Sequence, residues 1–186
     1  MPKLLRAAAL VTTAIVCVVA VAEETSELMI DKLKFAMPKS WTQAETTSSM
    51  RLAQFKIPAK EGDSEPGELV IFPPFGGTAQ ANVQRWIDSF EPKDRTVKTT
   101  KGTCPQGDYI FVEITGTYKK PDGPPILRKT VPAPGYRMQS VMFTIKGGGN
   151  YFFRLTGPDK TVAAQSDPFR ASFGAKAADE TEYKLE

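Results

Sequence analysis

The sequence predicts an α+β fold, in which helices pack on the faces of a central, mostly antiparallel β-sheet. Apolar and polar residues alternate in residues 138–146 and 151–156, on either side of Gly147–Asn150, and this pattern predicts a long β-hairpin. A second strand, residues 107–118, carries apolar side chains on both of its faces. Residues 79–90 have helical apolar periodicity. A sheet that is apolar on both faces needs cover on both sides, so helices are expected on each face.

The N-terminus predicts a cleaved signal peptide over residues 1–22. Lys3 and Arg6 precede an uncharged, mostly apolar run, which ends at the small residues Ala20 and Ala22. The protein is therefore expected to be exported, to the periplasm or outside the cell. The alternative is an uncleaved N-terminal membrane anchor, for which the run is short. We expect one globular domain over residues 23–174 and a flexible charged tail over residues 175–186.

Overall charge gives no support for nucleic-acid binding, and the cysteine content excludes a fold held by a disulfide within the chain. Removal of residues 1–22 leaves 22 basic and 21 acidic side chains, so nothing in the overall charge favours nucleic acid as a partner. Only Cys104 remains after cleavage, which excludes a disulfide within the chain and leaves the fold dependent on its apolar core.

The first half of the chain predicts three strands, over residues 28–38, 50–58 and 68–72. Trp41 follows the first of them and is expected at the edge of the core, with an exposed ligand platform as the alternative. The acidic loop at residues 59–67 lacks the carboxylate that a calcium loop needs at its twelfth position, so no metal site is expected there.

The helix at residues 79–90 follows Thr78, a residue that can cap it. Val83, Trp86, Ile87 and Phe90 form its apolar stripe. A second helix is expected after Pro158, with a kink or restart at Pro168 and an end at Gly174.

Residues 119–137 predict a long loop, because they contain five prolines and two glycines. Between Lys93 and Lys146 the chain has ten basic and four acidic residues. A solvated surface is the favoured interpretation of this excess, and steering of an anionic partner is the alternative. Arg128 and Arg137 lie in this loop. Arg154, on the less apolar face of the long hairpin, has no role in packing that the sequence can assign.

Two residue types that enzymes and metal sites often use are absent or scarce, namely histidine and cysteine. The sequence has no histidine, which excludes Ser-His-Asp and Cys-His nucleophiles and His-ligated metals. One mature cysteine excludes thiolate zinc and iron–sulfur sites within one chain. We therefore expect no catalytic residues, no metal and no cofactor. A hydrolase or isomerase built on carboxylates is a third hypothesis, without a specific signal.

Several motifs resemble those of an uncharacterised family of secreted bacterial proteins, over roughly residues 30–174. They are the segments Phe35–Pro38 with Trp41, Met50–Phe55, Asn82–Phe90, Gly116–Tyr118 and Leu155–Pro158. The order of elements is more distantly similar to the α/β/α sandwich of PsbP, the photosystem extrinsic subunit. The resemblance implies a non-catalytic domain that docks on a larger assembly or envelope component, and it supplies no site residues.

Two functions are therefore expected as alternatives. The first is a secreted or periplasmic interaction domain, whose partner is an unidentified protein or envelope component, without nucleic acid and without a membrane span after cleavage. The second is binding of a small anion or sugar by the proline-rich basic loop 119–137. The candidate binding residues are Trp41, Arg85, Arg128, Arg137 and Arg154. Convergence of the four arginines on one concave surface would favour ligand binding.

Overall fold

A computed structural model describes residues 23–46, 48–145 and 148–185, so the predicted signal peptide lies outside the described residues. The strands are β1 Thr25–Ile30, β2 Leu33–Pro38, β3 Thr42–Ala44, β4 Ala53–Ile57, β5 Gly67–Phe72, β6 Thr96–Cys104, β7 Gly107–Pro121, β8 Thr130–Ile145, β9 Asn150–Pro158 and β10 Thr181–Glu182. The helices are α1 Ala79–Asp88, α2 Asp159–Ala163 and α3 Ser166–Ser172. Short 3₁₀ helices occupy Pro125–Leu127 and Ala177–Asp179.

Eight of these strands form one sheet in the order β10-β6-β7-β8-β9-β5-β4-β3, with every neighbouring pair antiparallel. The strands β1 and β2 form a separate hairpin. Helix α1 covers one face of the large sheet, and α2, α3 and the β1–β2 hairpin cover the other. The α+β class with helices on both faces is therefore confirmed.

Each face of the sheet has its own apolar core. The face under α1, which we call the α1 face, packs the predicted stripe of the helix onto strand residues such as Val112, Met138 and Phe152. The opposite face is rich in phenylalanine: Phe153 contacts Phe35 with ring centroids 5.3 Å apart, and Phe169 contacts Phe173 at 5.7 Å. Both faces of β7 to β9 are buried, because each lies under one of these layers.

The single strand predicted over residues 28–38 is wrong. The chain reverses at Asp31, whose φ of 51° lies in the left-handed region that aspartate tolerates better than most residues. The Tyr151 hydroxyl donates a hydrogen bond to the Asp31 carboxylate and holds the turn against β9. The segment therefore forms the β1–β2 hairpin instead of one long strand.

The long loop predicted over residues 119–137 is also wrong, because most of it continues the strands β7 and β8. Their pairing extends to Pro121 and Thr130, past a register shift between Gly116 and Tyr118. The pairing of β8 with β9 stops at Tyr136, so the part of β8 before this residue lies at an edge. Prolines are tolerated there because an edge strand needs no donor on its outer side.

Residues 175–185, part of the segment expected to be a flexible tail, make specific contacts with the rest of the domain. Ala175 is buried, and β10 adds to the sheet by pairing with β6. Glu180 forms an ion pair with Arg170 of α3, and the exposed fractions of the two side chains are 4% and 10%. This buried pair ties the end of the chain to the helix, which sequence periodicity does not indicate.

Candidate functional site

Arg154 lies near the middle of β9, on the α1 face of the sheet. Its neighbours across the strands are Ser140 of β8 and Val70 of β5. The guanidinium lies over the ring of Phe72, with the Cζ atom 5.4 Å from the ring centroid. Among the described residues it makes no ion pair and no hydrogen bond. A cation–π contact therefore positions Arg154 while its five N–H donors remain available.

Arg154 lines a concave site with a volume of about 340 Å³, which we call the Arg154 cleft. The cleft is formed on one side by residues of β5 and β9, with Arg51 before β4 and the loop before β5, and on the other side by the β7–β8 hairpin. The residues that line it are Arg51, Glu65, Pro66, Glu68, Tyr118, Lys120, Pro121, Tyr136, Arg154, Thr156 and Gly157.

One end of the cleft holds a hydrogen-bonded group of Glu65, Lys120 and Tyr136. The Lys120 ammonium and the Tyr136 hydroxyl both donate to the Glu65 carboxylate. The bond from Lys120, followed by that from Tyr136, holds the pKa of Glu65 below its usual value. The Tyr136 ring stacks on Tyr118, with centroids 5.7 Å apart. Charge at this end is therefore internally paired.

The other end holds a second internally paired group. Arg51 donates to the side-chain oxygen of Gln54 at 2.7 Å, and its Nη1 atom lies 3.5 Å from the Glu68 carboxylate. The Gln54 amide in turn donates to Glu68 at 2.6 Å. Arg154 lines the same cleft and has no carboxylate partner among the described residues.

Two buried hydroxyls lie next to Arg154 without a hydrogen-bond partner among the described residues. They are the Oγ1 atom of Thr156, which lines the cleft, and the Oγ atom of Ser140. Thr156 follows Arg154 by two residues and shares its face of β9. Ser140 is fully buried and stands directly opposite Arg154 on β8. Unsatisfied buried hydroxyls at a strand centre are costly, and they indicate a polar site that a bound group could complete.

Of the other arginines predicted from the sequence, Arg85 is linked to this site through aromatic contacts. It belongs to α1, where it donates to Asn82 at 3.0 Å and lies over Phe75 at 5.8 Å. Phe75 contacts Phe72, the ring beneath Arg154, with centroids 6.2 Å apart. Arg85 and Arg154 therefore flank the same aromatic cluster, although Arg85 does not line the cleft.

Arg137 and Arg128 lie elsewhere. Arg137 faces the opposite side of the sheet, where its guanidinium pairs with Glu113 and Asp159, each at 2.9 Å. Arg128 lies at the end of the β7–β8 hairpin, with a φ of 48°. The structure therefore does not bring the four arginines together on one surface.

Trp41 lies in the core beneath β1 and β2. Only 4% of it is exposed, and its indole N–H donates to the side-chain oxygen of Gln165 at 2.9 Å. This placement agrees with packing at the core edge and leaves no exposed ring for a ligand to stack on.

The end of the β7–β8 hairpin forms a second surface that was not predicted from the sequence. The end of the β7–β8 hairpin, residues 122–131, which we call the hairpin tip, extends past the paired parts of β6 and β9. Ile126 is 88% exposed and Leu127 is 65% exposed, and Val131 of the same segment is also exposed. The signal for this surface in the sequence is a pair of adjacent aliphatic residues, Ile126 and Leu127. They lie between two prolines and two basic residues.

The described residues contain no group of three or more histidine, cysteine, aspartate or glutamate side chains that could hold a metal ion. Within the same ranges, no helix has both the length and the apolar character needed to cross a membrane. Cys104 is buried and unpaired.

The chain is similar to the solution structure of PsbP from the cyanobacterium Synechocystis. The two are 12% identical, with a TM-score of 0.49, and the match covers 91% of this chain and 99% of that one. The order of elements in the sequence resembles the α/β/α sandwich of PsbP. No protein-family model and no curated protein matches the chain.

Proposed function

We propose that this chain is an exported, non-catalytic interaction domain, which docks on a larger component of the cell envelope or its surroundings through the hairpin tip. The proposal is carried by the exposure of Ile126 and Leu127 at the end of a projecting hairpin.

Isolated exposed aliphatic residues are common and need no explanation. These two differ because they are adjacent and lie at the end of an arm whose base is fixed. The base packs through Tyr118, whose ring contacts Phe90 with centroids 5.3 Å apart, and through the Lys119 N–H, which donates to the Ser89 carbonyl at 2.8 Å. A rigid base and an apolar end suit insertion into a pocket or surface on a partner.

The charge around the tip supports a partner with negative charge. Arg128 and Lys129 follow Leu127 directly, and Asp122, which pairs with Lys129 at 2.5 Å, is the acidic residue in residues 122–131. Complementary charge on the partner would speed encounter and set orientation, while burial of the two aliphatic side chains would supply affinity.

The chemistry of the side chains supports a role without catalysis. The sequence lacks histidine, and the charged groups Glu65, Lys120, Arg51 and Glu68 are held in mutual pairs.

Cosedimentation with the envelope fraction of the source cells tests the proposal. The wild-type chain is expected to bind saturably, and Ile126→Ser/Leu127→Ser is expected to weaken binding at least tenfold, because each aliphatic side chain contributes about 1.5 kcal/mol or more when buried. The matched control is Met29→Ser/Met50→Ser, which removes two apolar side chains that are 54% and 57% exposed elsewhere. Equal binding by the two double variants would contradict docking through the tip.

Export has its own test. The mass of the chain recovered from the source cells is expected to correspond to a protein that begins at Glu23. A chain that retains residues 1–22 would favour the membrane-anchor alternative.

A further inference from the structure

We propose that the Arg154 cleft binds a small monocarboxylate, with the guanidinium of Arg154 donating two parallel hydrogen bonds to the carboxylate. This site is separate from the hairpin tip and is a function in addition to docking.

The first support is that Arg154 has unused donors in a fixed position. The other cations that line the cleft, Arg51 and Lys120, are paired with Glu68 and Glu65. Arg154 has no such partner among the described residues, and the ring of Phe72 lies beneath its guanidinium. A planar guanidinium with free N–H groups matches the two oxygens of a carboxylate.

The second support is charge balance. Three cationic and two anionic side chains line the cleft, which leaves one positive charge in excess. One added carboxylate neutralises this excess, whereas a doubly charged phosphate would leave negative charge next to Glu65 and Glu68. The cleft therefore fits a monoanion better than a dianion.

The third support is Thr156, a residue that lines the cleft and whose buried Oγ1 atom has no hydrogen-bond partner among the described residues. A ligand oxygen held by Arg154 would lie on the same face of β9 and could accept a hydrogen bond from this hydroxyl. The bond would satisfy a group that the protein alone leaves unpaired.

The remaining walls indicate the body of the ligand. Tyr118 and Tyr136 stack nearly parallel, with an interplanar angle of 15°, and both line the cleft. The volume of about 340 Å³ lies at the lower end of the range for small-molecule sites. An aromatic wall in a small cleft favours a compact, planar body, so we use benzoate as the probe.

A larger hollow of about 790 Å³ lies near β10, but it lacks these features. Its charged lining residues are Lys101, Asp108 and Asp179, so it has no positive excess. Asp108 already accepts a hydrogen bond from Thr103 at 2.8 Å. None of its lining side chains has an unpaired buried polar atom in the described part of the chain.

The test is titration of the ¹⁵N-labelled full chain with benzoate, followed by NMR. Saturable shifts are expected in the signals of Arg154, Thr156 and Tyr136. Benzamide, which has the same shape without the charge, and inorganic phosphate are each expected to bind at least tenfold more weakly. Absence of saturable benzoate shifts at these residues, or tighter binding of phosphate or benzamide than of benzoate, would overturn the assignment.

Variants separate the roles of charge and geometry. Arg154→Lys keeps the charge but loses the planar pair of donors, and it is expected to weaken benzoate binding at least fivefold. Thr156→Val changes the shape little and removes the hydroxyl, so it is expected to weaken binding while the spectrum remains that of the folded protein. The matched control Arg128→Lys, at the hairpin tip, is expected to bind as the wild type does. Unchanged affinity in both Arg154→Lys and Thr156→Val would refute the site.

Discussion

The guanidinium of Arg170 and the carboxylate of Glu180 form a buried ion pair, with Nε 2.6 Å from Oε1 and Nη2 3.2 Å from Oε2. The Arg170 Cζ atom also lies 3.8 Å from the centroid of the Phe111 ring. Thr100 of β6 donates to the same carboxylate at 2.7 Å. One acidic side chain thus joins the end of the chain to a helix and to the edge of the sheet.

Glu180→Gln is expected to lower the free energy of unfolding by about 3 kcal/mol, because it leaves the Arg170 charge buried and without a counter-ion. Urea denaturation measures the change. The control is Glu182→Gln, an exposed acidic residue two positions away, which is expected to change stability by less than about 0.5 kcal/mol. Similar small effects of both substitutions would show that the C-terminal segment contributes little to the fold.

Tyr109 gives the protein a defined response to alkaline pH. Burial, together with the nearby charge of Glu180, raises the pKa of Tyr109 to about 12. The folded state therefore keeps a proton that the unfolded state loses above about pH 10, so the stability due to this group is present below that pH and is lost as the pH rises toward 12.

Comparison of wild type with Tyr109→Phe checks this effect. The stability of the wild type is expected to fall more steeply between pH 10 and 12, and the difference in absorbance at alkaline pH should give a tyrosine that titrates near 12. Parallel stability curves for the two proteins would contradict the assignment.

Glu65 gives a test of the hydrogen bonds at one end of the Arg154 cleft. Lys120→Met is expected to raise the pKa of Glu65 toward its usual value, and Tyr136→Phe is expected to raise it less, since the bond from Lys120 is the larger cause of the lowered pKa. NMR titration of the side-chain carboxyl carbon measures both.

The same group contributes to stability at acid pH. Because the pKa of Glu65 is lowered in the folded state, its stabilising effect is present above the unfolded value and is lost as the pH falls through the folded one. A Glu65 pKa that does not change in Lys120→Met would contradict the pairing.

Gly107 permits close approach of two strands. A Cβ atom at this position would lie 2.2 Å from the carbonyl oxygen of Thr144 on β8, which backbone pairing holds in place. Gly107→Ala is therefore expected to lower the free energy of unfolding by about 2 kcal/mol or more, measured in urea. Gly76→Ala is the control, because no atom lies within 4 Å of its added Cβ. Equal stability of the two variants would show that β7 and β8 can shift apart freely.

Local periodicity was sufficient to predict the parts of the fold that bury one stripe or both faces. The predicted stripe is buried as its spacing indicated, with Val83, Trp86 and Ile87 in α1 and Phe90 just beyond its end. The strands of the long hairpin are also confirmed, as β8 up to Ile145 and β9 from Asn150, although Lys146 and Gly147 of its turn lie outside the described residues. The spacing of apolar residues along one helix or strand is a local property, so it indicates directly which face of that element is buried.

Amino-acid composition and alternation gave the wrong prediction in two segments whose structure depends on backbone pairing and turn geometry. The prolines in residues 119–137 indicated a loop, but β8 has a free edge before Tyr136 and accepts Pro132 and Pro134. The turn at Asp31 depends on one left-handed residue, which apolar alternation through residues 28–38 conceals.

The Arg154 cleft could not be predicted as a site, because its residues come from four separate parts of the chain and meet only through the register of the sheet. The sequence did show that Arg154 lacks a packing role. It could not show that Arg51 and Lys120 would find carboxylate partners while Arg154 would not, since ion pairing depends on tertiary geometry.

Hydrogen–deuterium exchange of the chain bound to the envelope fraction measures docking through the hairpin tip directly. The free chain provides the reference. Slower exchange on binding is expected to be confined to residues 122–131 and the adjoining ends of β7 and β8. Unchanged exchange in this segment, together with slower exchange on another surface, would contradict docking through the tip.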